Sequence, residues 1–137
     1  MIFNFHIGKY GTSAGYATRN EIYASTFDYL ENSTIDTKDC EYELQRLKNA
    51  KSGKFTGYGC SSNAVYSEYD KDGLYIQHDW IESAPDNFLT LENAEFLINE
   101  WKAFIEDQKE RTFELDVEVV EEKDRRNTRP DSSRAIC

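Results

Sequence analysis

The sequence predicts an α+β fold, in which a mainly antiparallel sheet is covered by two amphipathic helices. Two stretches alternate apolar and polar residues around the turn sequence Asp70-Lys71-Asp72-Gly73, a pattern typical of a β-hairpin. Strand-like and helix-like segments also follow one another with hairpins between them, which favours antiparallel pairing. A second pattern has helical spacing, and it comprises Ala94, Leu97, Ile98, Trp101, Phe104 and Ile105.

The first thirty residues are predicted to form two strands separated by a loop. In residues 1–9, Ile2 and Asn4 alternate with Phe3, Phe5 and Ile7, which predicts a buried strand. Residues 10–20 are small and polar, and we expect a loop there. Residues 21–31 contain β-branched and aromatic side chains, which favours a second strand.

A helix is predicted over residues 36–53. Asp36 or Thr37 can cap its first turn, and Gly53 is suited to the position just past its end. Short strands are expected at residues 54–60, 65–70 and 74–81. The second helix is predicted from Leu91 to Arg111 with Thr90 as its N-cap, and one last strand over residues 113–120.

The chain of 137 residues is long enough for one domain and a short tail. We predict a single domain over residues 1–120 and a polar C-terminal tail over residues 121–137, where no apolar pattern occurs. The N-terminus lacks the basic and long apolar regions of a secretory signal. Cysteines at three scattered positions suit free thiols in a reducing cytoplasm better than a disulfide framework, and they are Cys40, Cys60 and Cys137.

The charge is strongly acidic and unevenly distributed. The formal net charge is −10, and residues 61–110 hold 12 acidic and 3 basic side chains. Such a surface repels nucleic acids and anionic membranes, so neither is expected to bind directly. Solvation alone can explain acidic residues. Their interleaving with tyrosine and tryptophan also fits a binding surface for a basic protein.

No motif for catalysis, metal binding or cofactor binding is found. The sequence has two histidines and no Cys-x-x-Cys pair, which disfavours a zinc site. The acids between Glu68 and Asp79 only partly match a calcium loop, and a hairpin turn explains them more simply. We therefore predict no catalytic residue, no metal ion and no cofactor.

One stretch of the chain resembles a known class of proteins. It begins with Asp72-Gly73-Leu74-Tyr75-Ile76, continues through an acidic loop to Leu89-Thr90-Leu91-Glu92-Asn93-Ala94, and ends in an amphipathic helix with Trp101 and Phe104. This order of segments is similar to that of small bacterial immunity proteins. These are encoded beside contact-dependent growth inhibition toxins and other polymorphic toxins. The likeness lies within residues 63–105. It implies a small, acidic, cytoplasmic and catalytically inert protein that binds one cognate toxin, often a basic nuclease.

The predicted function is therefore neutralisation of a basic toxin domain by protein–protein interaction, through plugging of the active site or binding beside it. The partner is expected on the acidic hairpin and the loop after it, and the residues named for this surface are Asp70, Asp72, Tyr75, His78, Asp79, Glu82 and Asp86. Two alternatives stay open. One is a small enzyme or ligand-binding domain that uses the sheet near His78 and Trp80, and the other is a DNA-mimic inhibitor.

Overall fold

In the computed structural model of the chain, the described residues are 2–8, 11–16, 21–53, 57–61, 65–78 and 84–120. They form eight strands and three α-helices, with a single 3₁₀ turn at Glu21–Tyr23. The strands are β1 (Ile2–Gly8), β2 (Gly11–Tyr16), β3 (Gly57–Ser61), β4 (Val65–Asp70), β5 (Gly73–His78), β6 (Asp86–Leu89), β7 (Arg111–Glu114) and β8 (Glu118–Val120). The helices are α1 (Ala24–Ser33), α2 (Thr37–Lys51) and α3 (Leu91–Asp107).

The strands form two antiparallel sheets. One has the order β2-β1-β7 and the other the order β3-β4-β5-β6-β8. The predicted α+β class and the antiparallel pairing are confirmed, although three helices rather than two accompany the strands. None of the helices in the described ranges is both long and apolar enough to cross a membrane.

The segment from residue 111 to residue 120 joins the two sheets. We predicted one strand over residues 113–120, but the chain bends and divides it into β7, which pairs with β1, and β8, which pairs with β6. The predicted alternation nevertheless runs through the bend. Phe113, Leu115 and Val117 contact the core, whereas Glu114, Asp116 and Glu118 are exposed. A change of partner sheet leaves a period-2 pattern intact, so the sequence pattern does not show the division.

Helices α2 and α3 begin where their caps predict. The Asp36 carboxylate accepts a hydrogen bond from the Asp39 backbone N–H at 2.9 Å, and the Thr90 hydroxyl accepts one from the Asn93 N–H at 3.2 Å. Each cap satisfies an N–H group that the first helical turn leaves unpaired. Gly53 follows α2 with φ +78°, as a glycine past a helix end commonly does. Helix α3 ends at Asp107, earlier than predicted.

The prediction of a strand over residues 21–31 is wrong, because this stretch forms the 3₁₀ turn and α1. Its buried face recurs at helical spacing but includes the polar residues Ser25, Thr26 and Ser33. Ser25 and Thr26 are tolerated inside because hydrogen-bond partners are available, whereas the buried Ser33 hydroxyl has no partner among the described residues. The Thr26 hydroxyl donates to the Asn87 side-chain oxygen at 2.7 Å, and the Ser25 hydroxyl donates to the Pro85 carbonyl at 3.1 Å.

The prediction of a loop over residues 10–20 is also wrong for residues 11–16, which form β2; the other residues of that stretch lie outside the described residues. Strand β2 pairs with β1 from Gly8↔Gly11 to Phe3↔Tyr16. Apart from Tyr16 its residues are small, and it lacks an apolar pattern. Backbone pairing with an apolar strand can hold such a segment without any side-chain pattern.

An aromatic cluster joins the smaller sheet to the helices. The Phe3 ring stacks on Phe113 with centroids 5.3 Å apart, and Phe5 meets Trp101 edge-to-face at 5.0 Å. Trp101 belongs to the predicted apolar stripe of α3, and its exposed fraction is 2%. Its indole N–H donates to the Thr34 carbonyl at 2.8 Å, which ties α3 to the connection between α1 and α2.

Candidate functional site

The predicted hairpin is present, and its turn uses one of the carboxylates named for partner binding. Asp70 pairs with Gly73, leaving Lys71 and Asp72 as the two-residue loop. An Asp70 carboxylate oxygen accepts hydrogen bonds from the backbone N–H groups of Asp72 at 2.8 Å and Gly73 at 3.2 Å. Asp70 thus shapes the turn, while Asp72 is exposed.

Three other residues named for this surface are buried instead of exposed. The Tyr75 hydroxyl donates to the Asp86 carboxylate, and both side chains lie inside the protein. His78 is buried, with its Nε2 2.5 Å from an Asp28 carboxylate oxygen. The expectation that Tyr75, His78 and Asp86 present their side chains to a partner is corrected on this point. The reason is that β5 lies between β4 and β6, and residues on both of its faces are buried.

The last two named residues, Asp79 and Glu82, lie outside the described residues, as does Trp80. Their part in binding stays a prediction, like that of Asp70 and Asp72. The enzyme alternative placed a site near His78 and Trp80. In the structure, His78 contacts α1 through Asp28, so this histidine joins a helix to the sheet rather than facing an open cleft. Within the described ranges, no group of three or more His, Cys, Asp or Glu side chains could hold a metal ion.

A buried carboxylate that the sequence analysis did not identify lies between α1, α2 and β4. The hydroxyls of Tyr29 and Tyr69 both donate to the same oxygen of Glu43, at 2.7 and 2.6 Å, and lie 2.9 Å from each other. The other Glu43 oxygen is 3.6 Å from Nε of Arg46, whose side chain is partly exposed. Burial raises the pKa of Glu43, and it raises the pKa values of both tyrosines well above their ordinary range.

These pKa shifts and the burial indicate a structural role for this carboxylate network. The Glu43 carboxylate and the hydroxyls of Tyr29 and Tyr69 are enclosed by the core. Each of the two hydroxyls has an acceptor within the network. A hint was available in the sequence, since Glu43 occupies the same helical face as Cys40 and Leu47, where a polar residue interrupts the apolar stripe.

Cys40 has no sign of reactivity. Its side chain is buried and free of any disulfide. Burial, together with the nearby carboxylate of Asp39, raises the pKa of the thiol to about 12. A thiol with such a pKa is protonated at neutral pH and is a poor nucleophile. Cys60 lies in β3, and Cys137 lies outside the described residues.

A set of exposed carboxylates lies where the start of α3 meets the bend between β7 and β8. The Asn93 side chain donates to the Asp116 carbonyl at 3.4 Å, which brings these two segments into contact. Exposed acids occupy the first turns of α3 and the outer side of residues 114–118. We call this set the acidic face, and its members are Glu92, Glu95, Glu114, Asp116 and Glu118.

Two of the cations close to these acids along the chain are paired with other carboxylates. Arg111 donates to the carboxylates of Glu100 at 3.1 Å and Asp107 at 2.7 Å. Lys102 lies 3.5 Å from Glu41 and 3.9 Å from Glu106. Across the part of the chain that the structure describes, no salt bridge reaches the acidic face, so no cation of those residues neutralises its charge.

The acidic face was only partly anticipated. The sequence showed the excess of acids in residues 61–110, but it did not show that residues 114–118 add a second row beside α3.

The resemblance to immunity proteins is neither supported nor opposed by comparison with known proteins: no family model, no curated protein and no solved structure matches the chain.

Proposed function

We propose that the protein is an acidic binding protein that neutralises a cognate basic toxin domain, for which a nuclease is the expected example, in the cytoplasm. The observation that carries the proposal is the acidic face, with its five exposed carboxylates and no salt bridge among the described residues. Exposed charges of one sign attract a partner of opposite charge over about 8–10 Å at physiological salt, so they increase the association rate.

The chemistry of a nuclease makes it a suitable partner. A nuclease holds phosphate groups with lysine and arginine side chains, and carboxylates on a rigid surface can occupy the same cationic positions. Four of the five carboxylates of the acidic face lie on α3 or on strands that pair with β1 or β6, so little ordering is needed when the face binds. The proposed docking surface therefore lies on α3 and the β7–β8 segment rather than on the hairpin, where Tyr75 and His78 are buried.

The experiment begins with isolation of the partner. The tagged protein is used to capture binding proteins from its native cells at low and at high salt, and each captured protein is then expressed alone in a bacterial host. We expect a partner rich in lysine and arginine that arrests growth, is captured only at low to moderate salt, and loses its toxicity when this protein is co-expressed.

Two results would contradict the proposal. One is a captured partner with an acidic or neutral surface that binds equally well at high salt. The other is a partner whose growth arrest persists despite co-expression at a level at which the complex forms.

A further inference from the structure

Two helices carry exposed aromatic side chains in opposite electrostatic settings. Phe96 on α3 is 44% exposed, and Tyr42 on α2 is 60% exposed. Residues four positions apart on a helix are neighbours on its surface. The neighbours of Phe96 at this spacing are Glu92 and Glu100, whereas those of Tyr42 are Lys38 and Arg46. Glu100 already pairs with Arg111, so Glu92 is the neighbour of Phe96 that has no salt bridge among the described residues. An aromatic ring beside such a carboxylate is suited to a cationic ligand, whereas a ring between cations is not.

The Phe96 ring is held in place by the core. It meets Phe113 edge-to-face, with ring centroids 5.4 Å apart and an interplanar angle of 78°. Phe113 in turn stacks on Phe3, which is fully buried. A ring fixed on one side and open on the other loses little conformational freedom when a ligand covers it.

Helix α3 already holds a guanidinium group in the native structure. Arg111 reaches back across the end of the helix to Glu100 and Asp107, with N–O distances of 3.1 and 2.7 Å. Glu92 and Glu95 on the first turns of the same helix are exposed and have no salt bridge among the described residues. The helix therefore combines one occupied guanidinium site near its C-terminus with an exposed ring and, among the described residues, carboxylates without a salt bridge near its N-terminus.

We propose that Phe96, with Glu92, seats an arginine side chain of the basic partner: the guanidinium lies over the ring and pairs with the Glu92 carboxylate. This inference rests on the proposed function and specifies the contact made at the acidic face. Arginine rather than lysine is expected because the guanidinium is planar, stacks on aromatic rings and is more weakly hydrated than an ammonium group.

A second copy of this chain is a less suitable occupant. The cations flanking Tyr42 complement the carboxylates flanking Phe96, so contact between copies is chemically conceivable. However, each copy carries a net charge of −10, which opposes self-association at low salt. Charge complementarity with a basic partner has no such penalty.

The test uses two short peptides of equal length and charge, one with arginines and one with lysines at the same positions. Their affinities are measured by calorimetry at low salt for the wild-type protein, for Phe96→Leu and for Phe96→Tyr. We expect Phe96→Leu to weaken binding of the arginine peptide about two- to fivefold, and that of the lysine peptide less. Phe96→Tyr retains an aromatic face and should retain the affinity.

The matched control is Tyr42→Leu, which removes an even more exposed ring from a helix and should change neither affinity. Circular dichroism melting of each variant verifies that the fold is kept. The variant Glu92→Gln/Glu95→Gln should weaken binding of both peptides, because it removes charge rather than the ring.

The outcomes separate the inference from the proposed function. If neither peptide binds at low salt, the acidic face does not attract cations and the proposed function is contradicted. If both peptides bind but Phe96→Leu and Tyr42→Leu behave alike, only the arginine seat is overturned. A concentration-dependent dimer in sedimentation, abolished by Phe96→Leu, would assign the ring to a second copy and also overturn the inference.

Discussion

The Glu43 carboxylate should make the protein less stable as the pH rises, and one conservative substitution should remove that dependence. Glu43 is enclosed by the core, and its pKa is raised, chiefly by burial. At a pH between the ordinary carboxyl pKa and the raised value, the folded protein therefore binds a proton that the unfolded chain has released. Stability is then fully present below the ordinary pKa and is lost as the pH rises through the raised one.

The magnitude follows from the proton balance and the hydrogen bonds. One proton of difference changes the free energy of unfolding by at most about 1.4 kcal/mol per pH unit. Glu43→Gln keeps an oxygen that can accept from both Tyr29 and Tyr69, so stability near pH 7 should stay within about 1 kcal/mol of wild type or increase. Arg46, being partly exposed, can be solvated by water when its anionic partner is lost.

Glu43→Ala should behave differently. The two tyrosine hydroxyls are 2.9 Å apart, so one can still donate to the other. The second hydroxyl then has no acceptor within this network, and a buried polar group of this kind costs about 1–3 kcal/mol, to which the cavity adds.

The assay is urea denaturation followed by circular dichroism from pH 4 to pH 8 for wild type, Glu43→Gln and Glu43→Ala. The difference between wild type and Glu43→Gln isolates this carboxyl from the many others in the chain. We expect the difference to shift in favour of Glu43→Gln as the pH increases. A flat difference, or equal losses for the Gln and Ala variants at pH 7, would refute the reasoning.

Three further substitutions test the fold. Trp101→Ala should lose about 3–5 kcal/mol in chemical denaturation, because a buried indole and its bond to the Thr34 carbonyl are removed; a near-wild-type midpoint would contradict the packing of α3. Gly73→Ala should lose about 1–3 kcal/mol or more, since a Cβ there would lie 2.1 Å from the Leu89 carbonyl oxygen; Lys71→Ala, in the exposed turn, is its control, and equal melting temperatures would exclude the clash. Thr90→Ala should lose about 0.5–2 kcal/mol by removing the α3 cap, and Thr90→Ser should restore it; if both variants melt alike and below wild type, the hydroxyl is not the cap.

The helices that could be predicted are those with local signals at their ends. The side-chain caps Asp36 and Thr90 and the apolar stripe of α3 act over a few residues, so they can be recognised in sequence. Helix α1 has no side-chain N-cap hydrogen bond, and Thr26 on its buried face is satisfied by Asn87, 61 positions away. Such a partner depends on tertiary structure, and local pattern does not reveal it.

The difference between local signals and tertiary contacts also explains which features of the candidate site could be predicted. The Asp70–Gly73 turn is local and was predicted, together with the alternation of β4 and β5. Whether Tyr75 and His78 face solvent depends on what covers each side of β5, which is decided by distant segments such as α1. The acidic face likewise needs α3 and residues 114–118 to meet, and no property of either segment alone indicates that contact.

The central claim, that the acidic face attracts a basic partner, is tested most directly by the association rate of the isolated partner as a function of salt. The variant Glu114→Lys/Glu118→Lys reverses two charges on this face, and Glu31→Lys/Glu41→Lys makes the same net change at exposed positions on α1 and α2. At low salt we predict that the first variant associates about tenfold or more slowly, with a flatter salt dependence, while the control changes less than about threefold. Equal rates for the two variants would contradict the account.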